Sequence, residues 1–195
     1  KIYEAISFDY GTSYCLNNIA IIYYNLNKYN ESLKFHKQSL SIKEKINDQS
    51  GISGSLSNIG NIYFSQKNYT EAITHFKKAE KIQRERKELY YLASTLNNLG
   101  SCYKSLENYI EALKYITESY TIRLKLNDKV GQTSCLLNTA QIQMHLNQFS
   151  PAIKMLHKGL SIAQELGAKD ELENYYQNLS EAYKATGDHK NALAY

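Results

Sequence analysis

Five asparagines recur along the chain at a fixed interval of 40 residues: Asn18, Asn58, Asn98, Asn138 and Asn178. A side-chain amide carries hydrogen-bond donors and an acceptor. It can therefore pair with the C=O and N–H groups of an extended peptide without reading the sequence of that peptide. Asparagine inside a helix costs up to about 0.7 kcal/mol relative to alanine. Five asparagines at the same position of a 40-residue interval therefore indicate an interaction that offsets this cost.

The same amides also have a structural interpretation. Each could hydrogen-bond to a neighbouring helix or to water and so fix how the helices stack. A buried amide without a partner costs about 1–3 kcal/mol, so both interpretations require one. The sequence leaves both open, and we carry the ligand-binding interpretation forward.

Catalytic signals are weak. The chain has no HExxH motif, no glycine-rich phosphate loop and no GxSxG motif. His36 and His189 fall at core positions of the repeat, and the other three histidines share neither a phase nor a metal-ligand spacing. The three cysteines form no CxxC pair, which argues against a zinc site or a disulfide framework, and we expect all three to pack in the core. We predict no enzyme activity, no metal and no cofactor.

The composition is that of a folded protein with a mild positive charge. Apolar residues make up 43% and charged residues 22%, and the net charge is +4. This scattered excess is far from the basic footprint of a nucleic-acid-binding domain. No apolar run reaches the roughly 18 residues that a membrane span needs. We therefore predict no contact with nucleic acid and none with a membrane.

The asparagines belong to a repeat that covers the whole chain. Two residues after each asparagine stands a small residue, and five residues after it stands a tyrosine in four of the five copies. A fixed period in this range is typical of a solenoid. The predicted full units are 11–50, 51–90, 91–130 and 131–170, with the end of a preceding unit at 1–10 and a partial unit at 171–195.

Each unit contains two helical patterns joined by a polar turn. In the third unit, four residues share one face of the first helix: Leu96, Leu99, Gly100 and Tyr103. One phase of the turn carries residue types that tolerate the left-handed conformation: Asn27, Asn147 and Gly187. Asp48 and Asp128 are predicted N-caps, and Ser150 before Pro151 predicts a helix that begins at the proline. The predicted fold class is all-α.

These patterns resemble the tetratricopeptide repeat (TPR). In the second unit the resemblance is carried by seven residues of the two helices: Leu56, Ile59, Gly60, Tyr63, Ala72, Phe76 and Ala79. It implies a right-handed superhelical solenoid along essentially the whole chain. Two features depart from the common TPR pattern, since the unit is longer than the usual 34 residues and Arg84 stands where a proline usually closes the second helix. Such long units are similar to peptide-binding TPR adaptors and to TPR sensor regions of bacterial signalling proteins.

In the TPR family, the phase of the asparagines lines the inner, concave surface. The resemblance therefore implies a groove that binds an extended peptide. Besides the five asparagines, the residues that share this face are Asn61, Gln141, Tyr24, Phe64, Lys104 and Lys184. The groove would be mostly neutral and polar, apolar near Tyr24 and Phe64, and basic near the two lysines.

The resemblance implies a protein- or peptide-binding scaffold within a larger signalling or regulatory protein. The alternative is a structural array that self-associates, or docks on its own chain, without a peptide ligand. Neither end carries the polar capping unit usual for solenoids, so we expect the chain to be part of a longer array. Sparse cysteines fit a reducing compartment, and the expected location is cytoplasmic. A periplasmic location stays open if the chain belongs to a membrane-bound sensor.

Overall fold

The structure, a computed structural model, describes residues 2–195, with side chains from Phe8 onward. This part of the chain forms ten helices: α1 (Ile2–Asn25), α2 (Tyr29–Lys45), α3 (Gln49–Ser65), α4 (Tyr69–Glu85), α5 (Leu89–Ser105), α6 (Tyr109–Lys125), α7 (Lys129–His145), α8 (Phe149–Leu166), α9 (Lys169–Ala185) and α10 (His189–Ala192). The predicted all-α fold class is confirmed.

The helices form two compact units, the first of residues 1–106 and the second of residues 107–195. Each of these two units contains more than one 40-residue repeat. In the first unit, each of the helices α1 to α5 packs against the next along the chain. In the second unit, α6 to α10 pack in the same sequential way. Helix α1 runs without a break through residue 10, where the sequence predicts the end of a preceding unit. That prediction also depends on the side chains of residues 1–7, which lie outside the described residues.

The turns between the helices repeat every 20 residues. The residue with positive φ recurs at Asn27, Asn47, Lys67, Lys87, Glu107, Asn127, Asn147, Gly167 and Gly187. Most helices between these turns are 17 residues long. The 40-residue repeat is therefore two halves of equal length, each a helix closed by a left-handed residue. The predicted turn residues Asn27, Asn147 and Gly187 all adopt this conformation.

Lys87 occupies one of these left-handed positions, with φ 56°. A residue with a Cβ pays roughly 1–2 kcal/mol there, whereas glycine loses about 0.5–1 kcal/mol in backbone entropy. We expect Lys87→Gly to raise the free energy of unfolding by about 0.5–1 kcal/mol, measured by urea denaturation. The control Lys81→Gly, at an exposed position inside α4, should instead lower it by about 1 kcal/mol. Equal destabilisation by both changes would contradict this account of the turns.

The predicted caps are confirmed at two helices and wrong at a third. The side chains of Asp48 and Asp128 accept the backbone N–H of Gly51 and Gly131, each at 2.9 Å. Helix α8 begins at Phe149, with Gln148 in the N-cap position, so it does not begin at Pro151. The proline is tolerated within the first turn because backbone N–H groups there have no partner inside the helix.

Small residues allow helices to approach closely at two points. A Cβ added to Gly60 would lie 2.6 Å from Cε1 of Phe76, whose ring is fully buried. In the second unit, a Cβ on Gly159 would lie 2.0 Å from the hydroxyl of Tyr175. That hydroxyl donates a 2.6 Å hydrogen bond to the backbone oxygen of Thr133 and so joins α9 to α7. Close packing therefore explains why small residues recur at fixed phases.

Candidate functional site

A pocket of about 280 Å³ lies between the first helices of two successive repeats in the first unit. We call it the α1–α3 pocket; it is lined by Ile21, Tyr24, Asn25, His36, Asn58 and Asn61. Three of the predicted site residues, Tyr24, Asn58 and Asn61, come together here. They meet because α1 and α3 present the same phase of the repeat to one face.

The second unit contains a pocket in the same register. This α7–α9 pocket, of about 440 Å³, is lined by Gln141, Met144, His145, Phe149, Asn178, Glu181 and Ala185. Five of these positions lie 120 residues, or three repeats, after residues of the α1–α3 pocket. The predicted residues Gln141 and Asn178 therefore meet as Ile21 and Asn58 do. The repeat thus builds the same type of pocket in each unit.

Two of the asparagines hydrogen-bond between neighbouring first helices. Asn58 Nδ2 donates to Oδ1 of Asn17 at 3.3 Å, and Asn98 Nδ2 donates to Oδ1 of Asn61 at 3.0 Å. Both donors are half-buried. Each bond uses one amide hydrogen, so the oxygen and the other hydrogen of Asn58 and Asn98 remain for a further partner. The structural interpretation of these amides is thus realised without using up their bonding capacity.

The other three predicted asparagines have different surroundings. Asn18 is exposed on α1. Asn138 lies in a separate pocket of the second unit, beside Thr133, Asn174 and other residues of α7 and α9. Asn178 donates to the backbone oxygen of Asn174 in its own helix at 2.7 Å. Equal spacing therefore does not give the five amides equal partners.

The predicted aromatic residues pack against the start of the next helix. The rings of Tyr24 and Tyr29 lie 5.8 Å apart, and those of Phe64 and Tyr69 lie 5.5 Å apart. The Tyr24 hydroxyl also shares a 2.9 Å hydrogen bond with the hydroxyl of Ser65. Each predicted ring therefore contacts the first aromatic residue of the next helix, and Tyr24 also lines the α1–α3 pocket.

The two predicted lysines differ in their exposure. Lys184 is exposed, whereas Lys104 is half-buried. Burial lowers the pKa of Lys104 to about 8. Its charge is therefore partly lost in mildly alkaline solution.

His36 is a pocket residue that the sequence analysis missed. It occupies the phase of Phe76, Ile116 and Leu156, and its predicted burial is confirmed, with 1% of its surface exposed. Its Nδ1 is buried without a hydrogen-bond partner. Burial, and then the charge of Lys43, lowers its pKa to about 4, so the ring is neutral at physiological pH. The available signal was a polar residue at a position that is apolar in the next three repeats.

A second pocket of the first unit was also missed. This tyrosine pocket, of about 350 Å³, is lined by Tyr10, Ser13, Tyr14, Asn17, Lys43, Asp48, Ser50, Gly51, Ser53, Gly54, Asn58 and Tyr91. It adjoins the α1–α3 pocket, because Asn58 lines both. The predicted site residues all lie on one face of the first helix of each repeat, whereas Lys43 lies on a second helix.

The cysteine prediction is wrong for one of the three residues. Cys102 and Cys135 are fully buried, but Cys15 is exposed. The equivalent positions in the next three repeats, Ser55, Thr95 and Cys135, are buried on helices that pack against a preceding second helix. The described part of the chain contains no second helix before α1, so no such helix covers Cys15 there.

Thiol reactivity should separate these cysteines. Burial raises the pKa of Cys102 to about 12 and also raises that of Cys135. Because the thiolate is the reactive form, we expect a maleimide at pH about 8 to label Cys15 rapidly and the other two only after unfolding in denaturant. Mass spectrometry of the labelled peptides measures this. Rapid labelling of all three thiols in the native protein would contradict the burial described here.

Metal-ligand clusters and membrane-spanning helices are both absent among the described residues. Among them, no group of three or more histidine, cysteine, aspartate or glutamate side chains could hold a metal ion. No helix in this part of the chain combines the length and apolarity that crossing a bilayer requires. The pocket linings themselves contain hydrogen-bonding groups, aromatic rings and charged side chains.

Family models identify the class of protein. Three models described as tetratricopeptide repeat match residues 12–49, 51–125 and 173–195, which together exceed half of the chain. A model described as anaphase-promoting complex subunit 5 matches residues 103–181. The chain belongs to the tetratricopeptide repeat family. No curated protein matches it significantly.

Solved structures share the fold at low identity. BtubC (BKLC) from P. vanneervenii is 18% identical with a TM-score of 0.81, and the match covers 100% of this chain and 87% of that one. Aspartyl phosphate phosphatase F from Bacillus subtilis is 17% identical with a TM-score of 0.78, and the match covers 95% of this chain and 58% of that one. A signal transduction ATPase (STAND) protein with a tetratricopeptide repeat sensor, from Pyrococcus horikoshii, is 21% identical with a TM-score of 0.82. That match covers 93% of this chain and 28% of the other. The fold is that of a protein-interaction scaffold.

Proposed function

We propose that the chain binds an extended protein segment and that the amides of Asn58 and Asn98 hold the main chain of that segment. The observation that carries this proposal is the pair of amides that bridge neighbouring first helices yet keep an oxygen and a hydrogen for a ligand. An extended backbone offers a C=O and an N–H at each residue, which match these two groups. The cross-helix bonds hold the amides in place before a ligand arrives, and such preorganisation favours binding.

The pockets support the same proposal. The α1–α3 pocket and the tyrosine pocket lie on either side of Asn58 and can take side chains of a segment whose backbone runs past this residue. In an extended peptide, successive side chains point to opposite sides. By analogy with the P. horikoshii neighbour, whose repeats are described as a sensor, we propose that the chain works within a larger signalling protein in the cytoplasm.

A purely structural array is the second candidate. The hydrogen bonds from Asn58 to Asn17 and from Asn98 to Asn61 favour it, because they join helices of successive repeats directly. In this case the amides would set the stacking and no peptide would bind at them. The two candidates differ in what the loss of the amides removes, which is binding in one and stability in the other.

The double variant Asn58→Ala with Asn98→Ala tests the proposal. Peptides are first selected against the wild-type protein from a displayed library of random segments. We expect the double variant to bind the selected peptides at least tenfold more weakly, about 1.4 kcal/mol or more, by isothermal titration calorimetry. Its melting temperature should fall by only a few degrees, because each lost bond is half-buried and contributes about 0.5–1.5 kcal/mol.

The matched control is Asn30→Ala, which removes an exposed amide from α2. It should change neither binding nor melting temperature. Wild-type affinity in the double variant together with a large drop in melting temperature would assign the amides to the structural role. Failure to select any peptide would also count against the proposed function.

A further inference from the structure

The tyrosine pocket is open, with tyrosine rings at its sides and a glycine at its base. Tyr10 and Tyr14 of α1 and Tyr91 of α5 are 55%, 59% and 59% exposed. A Cβ added to Gly54 of α3 would meet no atom within 4 Å. The helix backbone at this glycine therefore faces open space between tyrosines of two other helices. Tyrosine is one of the residue types enriched among those that contribute most to binding a partner.

Lys43 places a positive charge deep in this pocket. The residue is 7% exposed, and its Nζ donates to the hydroxyl of Ser55 at 2.9 Å. An ammonium group has three hydrogens, so two remain unused among the described residues. The equivalent residue of the second unit, Arg123, is instead paired directly with Asp128. The first unit thus keeps a buried cation that the second unit neutralises internally.

Asp48 is the other charged residue in the lining, and it offsets the cost of burying the charge of Lys43 only in part. Its Oδ1 accepts the backbone N–H of Gly51 as the cap of α3. Burial lowers the pKa of Lys43, and the charge of Asp48 raises it, but burial is the larger effect. The ammonium is therefore less stable here than in water. An anion within reach of Nζ would relieve this penalty.

Two amides complete the set of donors. Asn17 and Asn58 both line the pocket. Because Asn17 accepts through Oδ1 from Asn58, both of its amide hydrogens remain for a ligand. Ser13 and Ser53 also line the pocket. Their hydroxyls already donate to the backbone oxygens of Tyr10 and Ser50, so they are not donors for a ligand. The pocket therefore offers the ammonium of Lys43 and the amide hydrogens of Asn17 and Asn58 as donors, with tyrosine rings around them.

We infer that the tyrosine pocket binds the side-chain carboxylate of an acidic residue in the bound segment, with Lys43 and Asn17 as its donors. This inference rests on the proposed function, because the acidic residue belongs to the segment held at Asn58. The pocket volume accommodates a glutamate side chain, whose methylene groups would pack against the tyrosine rings.

Two displayed libraries of ten-residue peptides (about 35 Å when extended) test the inference. One position is fixed as glutamate in the first library and as glutamine in the second, while the other positions are random. Glutamine has the same shape as glutamate without the charge. We expect the wild-type protein to enrich the glutamate library at least tenfold over the glutamine library. The best glutamate peptide should bind at least tenfold more weakly when its fixed residue becomes glutamine.

Lys43→Met should abolish this preference while leaving the glutamine peptides bound as before. The matched control Lys37→Met removes an exposed lysine from the same helix and should keep the preference. Gly54→Leu is the second pocket variant, and it fills the open floor without a clash at Cβ. It should weaken glutamate peptides at least tenfold even if Lys43→Met fails to fold.

The outcomes separate the inference from the proposed function. Enrichment of both libraries equally, with binding lost in Asn58→Ala, would overturn the carboxylate site and leave peptide binding intact. A glutamate preference that survives Lys43→Met would also overturn it. Enrichment of neither library would overturn both the proposed function and the site that rests on it.

Discussion

Phe76→Ala is expected to lower the free energy of unfolding by about 3–5 kcal/mol. The ring is fully buried on α4 and lies against Gly60 of α3. Glycine has no side chain that could move into the space, so the cavity left by the ring stays largely unfilled. Urea denaturation followed by circular dichroism measures the loss. Phe8→Ala is the matched control, since this ring is 74% exposed, and it should change stability by less than about 0.5 kcal/mol.

The glycine that faces this ring gives a stricter test. Gly60→Ala places a Cβ 2.6 Å from the ring of Phe76 and should cost about 1–3 kcal/mol by overpacking. In the Phe76→Ala background, the same change should be neutral or stabilising by up to about 1 kcal/mol, because the clash is gone and alanine favours helix. Additive losses in the double variant would show that the two side chains do not share the site described here.

The helix pairs were predictable because the repeat contains residues with strong local conformational preferences. Asn27, Asn147 and Gly187 marked the turns, and the small residues near Gly60 marked the close contacts. The sequence did not show that each 40-residue repeat consists of two halves of equal length. Lys67 occupies a left-handed position although lysine does not favour it, so the turn there is imposed by the packing of α3 against α4.

The shared face of three candidate residues was predictable from the repeat, but their hydrogen-bond partners were not. Tyr24, Asn58 and Asn61 share a pocket as their phase predicts. Their hydrogen bonds could not be read from the sequence, because Asn58 bonds to Asn17, 41 positions away and out of step with the 40-residue period. Bonding between side chains depends on distances of a few tenths of an ångström, which spacing alone does not fix.

Polar residues at core phases were the least predictable part of the site. His36 and Lys43 both lie on the buried face of α2, where the pattern indicates only packing. What sets them apart is incomplete bonding: Nδ1 of His36 has no partner, and Lys43 lacks the direct ion pair that Arg123 makes. That difference is a property of the three-dimensional contacts, so only the structure reveals it.

Asp128→Ala should lower the free energy of unfolding by about 3 kcal/mol or more. The carboxylate pairs with Arg123, and the two side chains are 14% and 8% exposed. It also caps α7 through the backbone N–H of Gly131. Removing it leaves a buried guanidinium without its counter-ion, and the guanidinium, unlike a lysine, cannot lose its charge. Thermal and urea unfolding of the variant measure the loss.

A cap without a buried cation separates the two roles of this aspartate. Asn108 caps α6 in the same unit by accepting the N–H of Glu111 at 3.3 Å, and Asn108→Ala should cost only about 1 kcal/mol. Adding Arg123→Met to Asp128→Ala should recover more than half of the loss, because the unpaired charge is then gone. If Asp128→Ala costs no more than Asn108→Ala, the ion pair contributes nothing beyond the cap. The direct ion pair would then give Arg123 no energetic advantage over Lys43.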